Sequence, residues 1–175
     1  PWEDVEEFYV SNRETGGGRE IVPFELTWLT EVLGFPQDIK GYFEQTIDFG
    51  PKIEDSYSFV MKFNGYIGAI IVDVASRFAT RNLILNMEKG QLLWNWNDSC
   101  LKVYESDQKR WINYYQPEGN SEAGYNKNII EEMYIDEIEA YINGVKGATN
   151  YPNSIDKDIK ILELLNKIEE SDGGF

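Results

Sequence analysis

Tyr57-Ser58-Phe59-Val60-Met61-Lys62-Phe63-Asn64-Gly65-Tyr66-Ile67-Gly68-Ala69-Ile70-Ile71-Val72-Asp73-Val74-Ala75 is the stretch that decides the fold. Two runs rich in Phe, Val, Ile and Tyr flank Asn64-Gly65, the strongest short-range hairpin signal, because a favoured two-residue turn needs both residues to tolerate positive φ. Outward from it, β-rich runs separated by turn residues every eight to twelve positions extend from Gln37 to about Tyr115. Further strands are expected at about 39–48, 81–87, 91–96, 100–105 and 110–115, with a second hairpin around Lys89-Gly90. All connections are short. Parallel neighbours need crossovers of a dozen residues or more, so the pairing is expected to be mainly antiparallel.

On either side of this region the period changes. From Arg19 to Leu33 the apolar residues Ile21, Val22, Leu26, Leu29, Val32 and Leu33 recur at three and four, and Gly34 with Pro36 supplies the stop. A helix is expected there, either beginning near Pro23 or kinked in its first turns, because proline removes a donor and clashes with the preceding turn. The polar stretch before it ends in Gly16-Gly17-Gly18, read as a hinge. After a polar loop at 116–127, Ile130, Met133, Tyr134, Ile138, Tyr141, Ile142 and Val145 mark one face of a helix closed by Gly147. A last helix starts at a Ser154 cap, with Ile155, Ile159, Leu162, Leu165 and Ile168 expected inward. The order predicts one α+β domain over residues 1–175. Its core is an open, mainly antiparallel sheet of about six or seven strands, with helices packed on one face.

Composition narrows the chemistry. The 175 residues suffice to bury roughly two thirds of the unfolded surface without disulfides or metals. The lone Cys100 has no histidine to serve as its base, so it reads as a small half-buried strand residue rather than a nucleophile. A formal charge of −15 repels polyanions and excludes nucleic acid as an expected partner. No apolar run approaches the ~20 residues of a membrane span and no secretion signal opens the chain, which points to the cytoplasm and away from membranes.

No phosphate cradle is legible. Gly16-Gly17-Gly18 precedes a helix, but no strand comes before it, the GxGxxG spacing is missing and there is no Walker lysine. Glu131-Glu132 reads as a solvated helix face, and no metal site is expected. Arg13, Arg19, Glu20 and Glu25 form the densest set of potentially functional charges in an apolar context. Glu20 and Glu25 lie five apart, about 500° of helical turn, so they share a face only loosely. Trp94 and Trp96, alternating with Asn95 and Asn97, suit either a carbohydrate-stacking platform or burial beneath a helix, and burial is the commoner fate.

Gly17-Gly18 through Gly34, Glu54-Asp55 leading into the Asn64-Gly65 hairpin, the Glu88-Lys89-Gly90-Gln91-Leu92-Leu93-Trp94 turn and the closing pair of helices resemble the C-terminal domain of the glucose-fructose oxidoreductase / inositol dehydrogenase / MocA family. The resemblance covers nearly the whole chain, and the order of the motifs carries it. It implies an N-terminal Rossmann domain, absent here, that binds NAD or NADP in the intact enzyme, with no cofactor expected on this chain. It also implies a C-terminal α+β domain supplying the substrate side and the subunit interface. A chain opening on Pro1-Trp2-Glu3 rather than Met fits a piece of something longer.

The family places an aspartate, then a histidine four residues on, in the first helix of this domain. Counted back from Gly34, Glu20 falls at the aspartate and Phe24 at the histidine. Phe24 cannot move a proton, so either Glu25 takes the acid/base role or the reaction is not a simple alcohol oxidation. The expected sites are therefore Glu25 and Glu20 for catalysis and Arg13 and Arg19 for substrate. The stretch 19–25 resembles members acting on sugars or nucleotide sugars. The resemblance implies the substrate-binding and oligomerisation domain of an NAD(P)-dependent sugar oxidoreductase, inactive alone, whose partners are a sugar-like substrate, its Rossmann domain and a second copy across the sheet face. The alternatives are a dimerisation domain of a pseudoenzyme and a stand-alone carbohydrate-binding module.

Overall fold

The computed structural model describes residues 8–48, 50–120 and 130–172. Its elements run α1 (Gly17–Leu33), β1 (Asp38–Glu44), β2 (Ser56–Lys62), β3 (Ile67–Asp73), β4 (Asn82–Met87), β5 (Gly90–Asn95), β6 (Cys100–Glu105), β7 (Arg110–Tyr115), α2 (Glu131–Val145) and α3 (Ile155–Asp172). The seven strands and three helices fall where the periodicity puts them, and every ladder is antiparallel. The single sheet does not form. The strands make a three-stranded sheet, β1-β2-β3, and a four-stranded sheet, β4-β5-β6-β7. The β2–β3 pairing runs one step past β3, where the Val74 N–H donates to Asp55 O at 2.9 Å, and the Ala75 N–H then turns back onto the Asp73 carboxylate at 2.8 Å.

The chain divides into two compact units, Pro1–Arg77 with Asn153–Phe175, and Phe78–Pro152. In the first, alternation along the strands points Ile39, Tyr57, Phe59, Met61 and Val72 inward, against Val22, Leu26 and Leu29 of α1 and Ile161, Leu164, Leu165 and Ile168 of α3. The opposite sheet face leaves Tyr42, Val60, Ile67 and Ile71 exposed. The central hairpin forms as expected, but only Gly65 takes positive φ, at 92°. Phe63 N–H donates to Tyr66 O, and the two rings stack at 4.6 Å beside the turn.

Two helix expectations are corrected here. The start at Pro23 is not seen: α1 runs from Gly17 through Pro23, whose carbonyl accepts from the Thr27 hydroxyl at 2.8 Å. In α3 the cap at Ser154 is present, with the Lys157 N–H donating to its hydroxyl at 3.3 Å, but the buried face is rotated. Leu165 and Ile168 face inward as read, whereas Ile155, Ile159 and Leu162 are exposed, Ile155 at 77%. Both series obey three-and-four spacing, so packing on β1 and α1, not periodicity, selects between them.

The second unit is a β4–β7 meander followed by α2. Cys100 lies at the start of β6, in a strand as read, but is fully rather than half buried. The expectation that all helices pack on a sheet face fails for α2, which buries none of its residues; its apolar stripe, from Met133 to Val145, stays exposed. Glu131 and Glu132 lie on its exposed surface, as read. Among the described residues no helix is long and apolar enough to cross a membrane.

Candidate functional site

The site is built where the glycine run meets the three-stranded sheet. A Cβ on Gly16 would lie 1.9 Å from Val10 O, and one on Gly18 would lie 2.7 Å from Tyr57 Cδ2. Gly17 takes a φ of 65°, where side-chain-bearing residues are strained. Only a backbone without side chains can approach this closely, and the Gly18 N–H uses the approach to donate to Glu54 O at 2.8 Å. The run is therefore a packed junction, not the hinge expected from composition.

Around this junction the charges pair. Arg13 Nε donates to Glu54 Oε1 at 2.7 Å. Arg19 grips Glu169 of α3 through Nε at 2.8 Å and Nη2 at 3.4 Å, and its Nη1 donates to Glu14 O at 2.8 Å. The Tyr57 hydroxyl donates to the same Glu169 oxygen at 3.1 Å, while its ring stacks on Phe43 at 5.3 Å. Arg13 lies 6.0 Å from the Phe43 centroid. Glu54 Oε2 is buried without a hydrogen-bond partner among the described residues.

Asp55, also buried, holds the opposite side. Its carboxylate accepts from the Thr46 N–H, the Thr46 hydroxyl and the Ile47 N–H at 2.7–3.0 Å. Burial pushes this carboxyl upward, but the hydrogen bonds from Thr46 and Ile47 outweigh it and hold the group below the ordinary carboxylate range. Asp55 thereby fixes the start of β2 and, with it, the neighbouring Glu54.

Arg13 and Arg19 thus join one network, with Glu54, Tyr57 and Glu169. Glu20 and Glu25 are held elsewhere: Glu20 accepts from the Tyr9 hydroxyl at 3.0 Å and Glu25 from Trp28 Nε1 at 2.8 Å. Phe24 is 64% exposed on α1. Tyr57, Glu54 and Glu169 were missed as site residues. Tyr57 was legible as an inward strand position, but the meeting of Glu169 with Arg19, 150 positions apart, is a product of packing alone. Among the described residues no group of His, Cys, Asp or Glu is placed to hold a metal ion. Among the described residues the hydrogen bond given for Arg13 uses its Nε alone.

No family model matches the sequence, and no curated protein matches it. Solved structures do. The chain is similar to an oxidoreductase from Agrobacterium radiobacter in complex with NAD+, L-tartaric acid and magnesium, with TM-score 0.80 and 15% identity over 98% of this chain and 52% of that one. It is similar to UDP-N-acetylglucosamine 3-dehydrogenase from Acidithiobacillus ferrooxidans, with TM-score 0.66 and 12% identity over 98% and 50%. It is also similar to biliverdin reductase from Synechocystis in complex with biliverdin and NADP+, with TM-score 0.65 and 11% identity over 86% and 45%. The chain spans about half the length of each structure and shares the fold of an oxidoreductase domain.

The network makes Tyr57 a probe of its own integrity. Burial raises the phenol above its ordinary pKa of 10.0, the charge and hydrogen bond of Glu169 raise it further, as does the charge of Glu54, and Arg19 opposes them. A phenol whose pKa is raised in the folded state keeps its proton there after the unfolded tyrosine has lost it, so rising pH favours unfolding once the unfolded tyrosine ionises. Its contribution is complete below pH 10 and is lost as pH climbs beyond. The stability difference between the wild type and Tyr57→Phe, from urea unfolding between about pH 8 and about pH 11, is expected to be flat at first and to shrink above pH 10. A difference that stays flat throughout contradicts the network.

Proposed function

We propose that this chain is the substrate-side and dimerisation domain of an NAD(P)-dependent oxidoreductase that acts on a sugar or nucleotide sugar at a hydroxyl-bearing carbon. One observation carries the reading: a fold match over 98% of this chain to half of an oxidoreductase complexed with NAD+. The UDP-N-acetylglucosamine dehydrogenase among the neighbours supports the nucleotide-sugar class. The described residues do not fit a dinucleotide cradle: a 3₁₀ turn, not a strand, precedes the glycine run, and the Gly18 N–H is already committed to Glu54 O. The dinucleotide therefore belongs to a Rossmann domain of the same polypeptide, and the enzyme is assigned to the cytoplasm.

In this reading Glu25, oriented by Trp28, accepts the proton of the reacting hydroxyl. Arg13 meets the substrate's polar groups, Arg19 holds the start of α1 through Glu169, and Glu20 orients from one turn earlier. The exposed Phe24 at the family's histidine position favours one competing reading, a domain whose parent has lost catalysis. The dimer is assigned to the open face of the three-stranded sheet. α1 and α3 cover one side, while the other carries Tyr42, Val60, Ile67, Ala69 and Ile71 interspersed with Lys40, Ser58 and Lys62, a mixed surface whose apolar residues an isologous copy would bury.

In the intact enzyme, Glu25→Gln is expected to lower the rate of the oxidation step by a factor on the order of 10² to 10⁴, and Glu20→Gln by less. Unchanged turnover in Glu25→Gln would pass the assignment to the pseudoenzyme reading. Sedimentation at micromolar concentration is expected to show a dimer that Ile71→Lys dissociates. A 20.3 kDa species that stays monomeric on concentration would remove the sheet face as an interface.

A further inference from the structure

The four-stranded sheet has two unlike faces. Directly opposed residues of antiparallel strands share a face, as do residues two apart along a strand. The register therefore places Leu83, Trp94, Leu101 and Tyr114 in one row, beside Leu85, Leu92, Val103 and Ile112 in the next. That face is apolar in these two rows and ends on the paired Glu105 and Arg110. It takes Trp94 away from any sugar platform, while Trp96 leaves the strand for a 3₁₀ turn, so the sequence-based pairing of these tryptophans is corrected.

The reverse face carries a different chemistry. Asn86, Gln91, Tyr104 and Trp111 form one row, Asn82, Asn95, the buried Cys100 and Tyr115 another, and between them run Ile84, Leu93, Lys102 and Asn113. Amides and aromatics dominate, and the only charge among these positions, Lys102, is paired with Asp98 at 2.9 Å. The edge strand β7 presents Trp111, Asn113 and Tyr115 in succession, with Trp111 47% and Tyr115 72% exposed. Residues four apart on a strand are separated by about 13 Å, so the two rings bracket an amide over the length of a short oligosaccharide. Tyr104 packs against Trp111 at 5.2 Å and braces its ring.

We propose that this face, centred on Trp111, Asn113 and Tyr115, binds a linear neutral glycan, independently of the substrate site. Aromatic faces accept the apolar C–H faces of pyranose rings, and the amides supply donors and acceptors for the hydroxyls at their edges. The amides are already oriented by one another: Asn95 Nδ2 donates to Asn82 Oδ1 at 2.8 Å, Gln91 Nε2 to Asn86 Oδ1 at 2.6 Å and Asn113 Nδ2 to the Tyr115 hydroxyl at 3.3 Å. Each of these bonds uses half of an amide, so Asn82, Asn86, Gln91 and Asn113 keep the other half for a ligand. A protein partner fits this face poorly, because burying those amide halves without partners is costly, and the apolar reverse face suits protein contact better. The lack of an unpaired charge selects a neutral glycan over an anionic one.

The test is calorimetric and fluorescence titration of the 175-residue chain with cellohexaose and with maltohexaose. At least one is expected to bind with a dissociation constant in roughly the millimolar range or tighter. Trp111→Ala and Tyr115→Ala should each weaken it roughly tenfold or more, the scale of losing a ring from a stacking platform. Trp111→Phe and Tyr115→Phe, which keep a ring, should retain most of the affinity and guard against a misfolded alanine variant, with circular dichroism as the check. The proposal is overturned if neither hexasaccharide binds at millimolar concentration, or if binding survives both alanine substitutions. It is equally overturned if those substitutions abolish self-association in place of glycan binding, which would make the face a contact between copies.

Discussion

The contact on which the first unit depends is backbone against backbone, where the Gly18 N–H meets Glu54 O at 2.8 Å. It brings the first turn of α1, the positive end of the helix, directly onto the chain just before β2. Arg13, just before the helix, and Arg19, in its first turn, are thereby brought onto Glu54, Asp55 and Tyr57 around the start of β2. The last turns of α3 complete the arrangement by delivering Glu169 to Arg19 and Tyr57. Three segments far apart in sequence share one electrostatic cluster because three consecutive residues have no side chains to keep them apart.

That cluster is costly to assemble and is compensated locally. Glu54 and Glu169 are both mostly withdrawn from water, and two carboxylates raising the same phenol would repel in isolation. Each is instead matched to a guanidinium, and planar Arg–carboxylate contacts restore much of the desolvation that burial costs. Asp55 answers the same problem differently, taking its compensation from backbone N–H groups and the Thr46 hydroxyl rather than from a cation.

Most of the fold was legible because alternation and helical period are local properties. Asn64-Gly65 announced its hairpin, and Ser154 announced the start of α3. What stayed illegible required knowing the neighbours. Ile155, Ile159 and Leu162 are as regular a series as Ile161, Leu164, Leu165 and Ile168, and only contact with β1 and α1 distinguishes them. The division into two sheets likewise depends on which strand edges meet, which no local pattern records. Arg13 and Arg19 could be picked out as charges in an apolar setting, but their partners could not. Glycine triplets are read as loose by composition, and this one is tightly packed because its neighbours lie within touching distance.

Gly18→Ala tests that account most directly, since it adds one methyl group whose position is 2.7 Å from Tyr57 Cδ2 in a fully buried setting. If the junction organises the unit, urea unfolding should show a loss of roughly 1–3 kcal/mol, the scale of overpacking a close-packed interior, and the alkaline behaviour of Tyr57 should change with it. A Gly18→Ala protein as stable as the wild type, with Tyr57 titrating as before, would contradict the account.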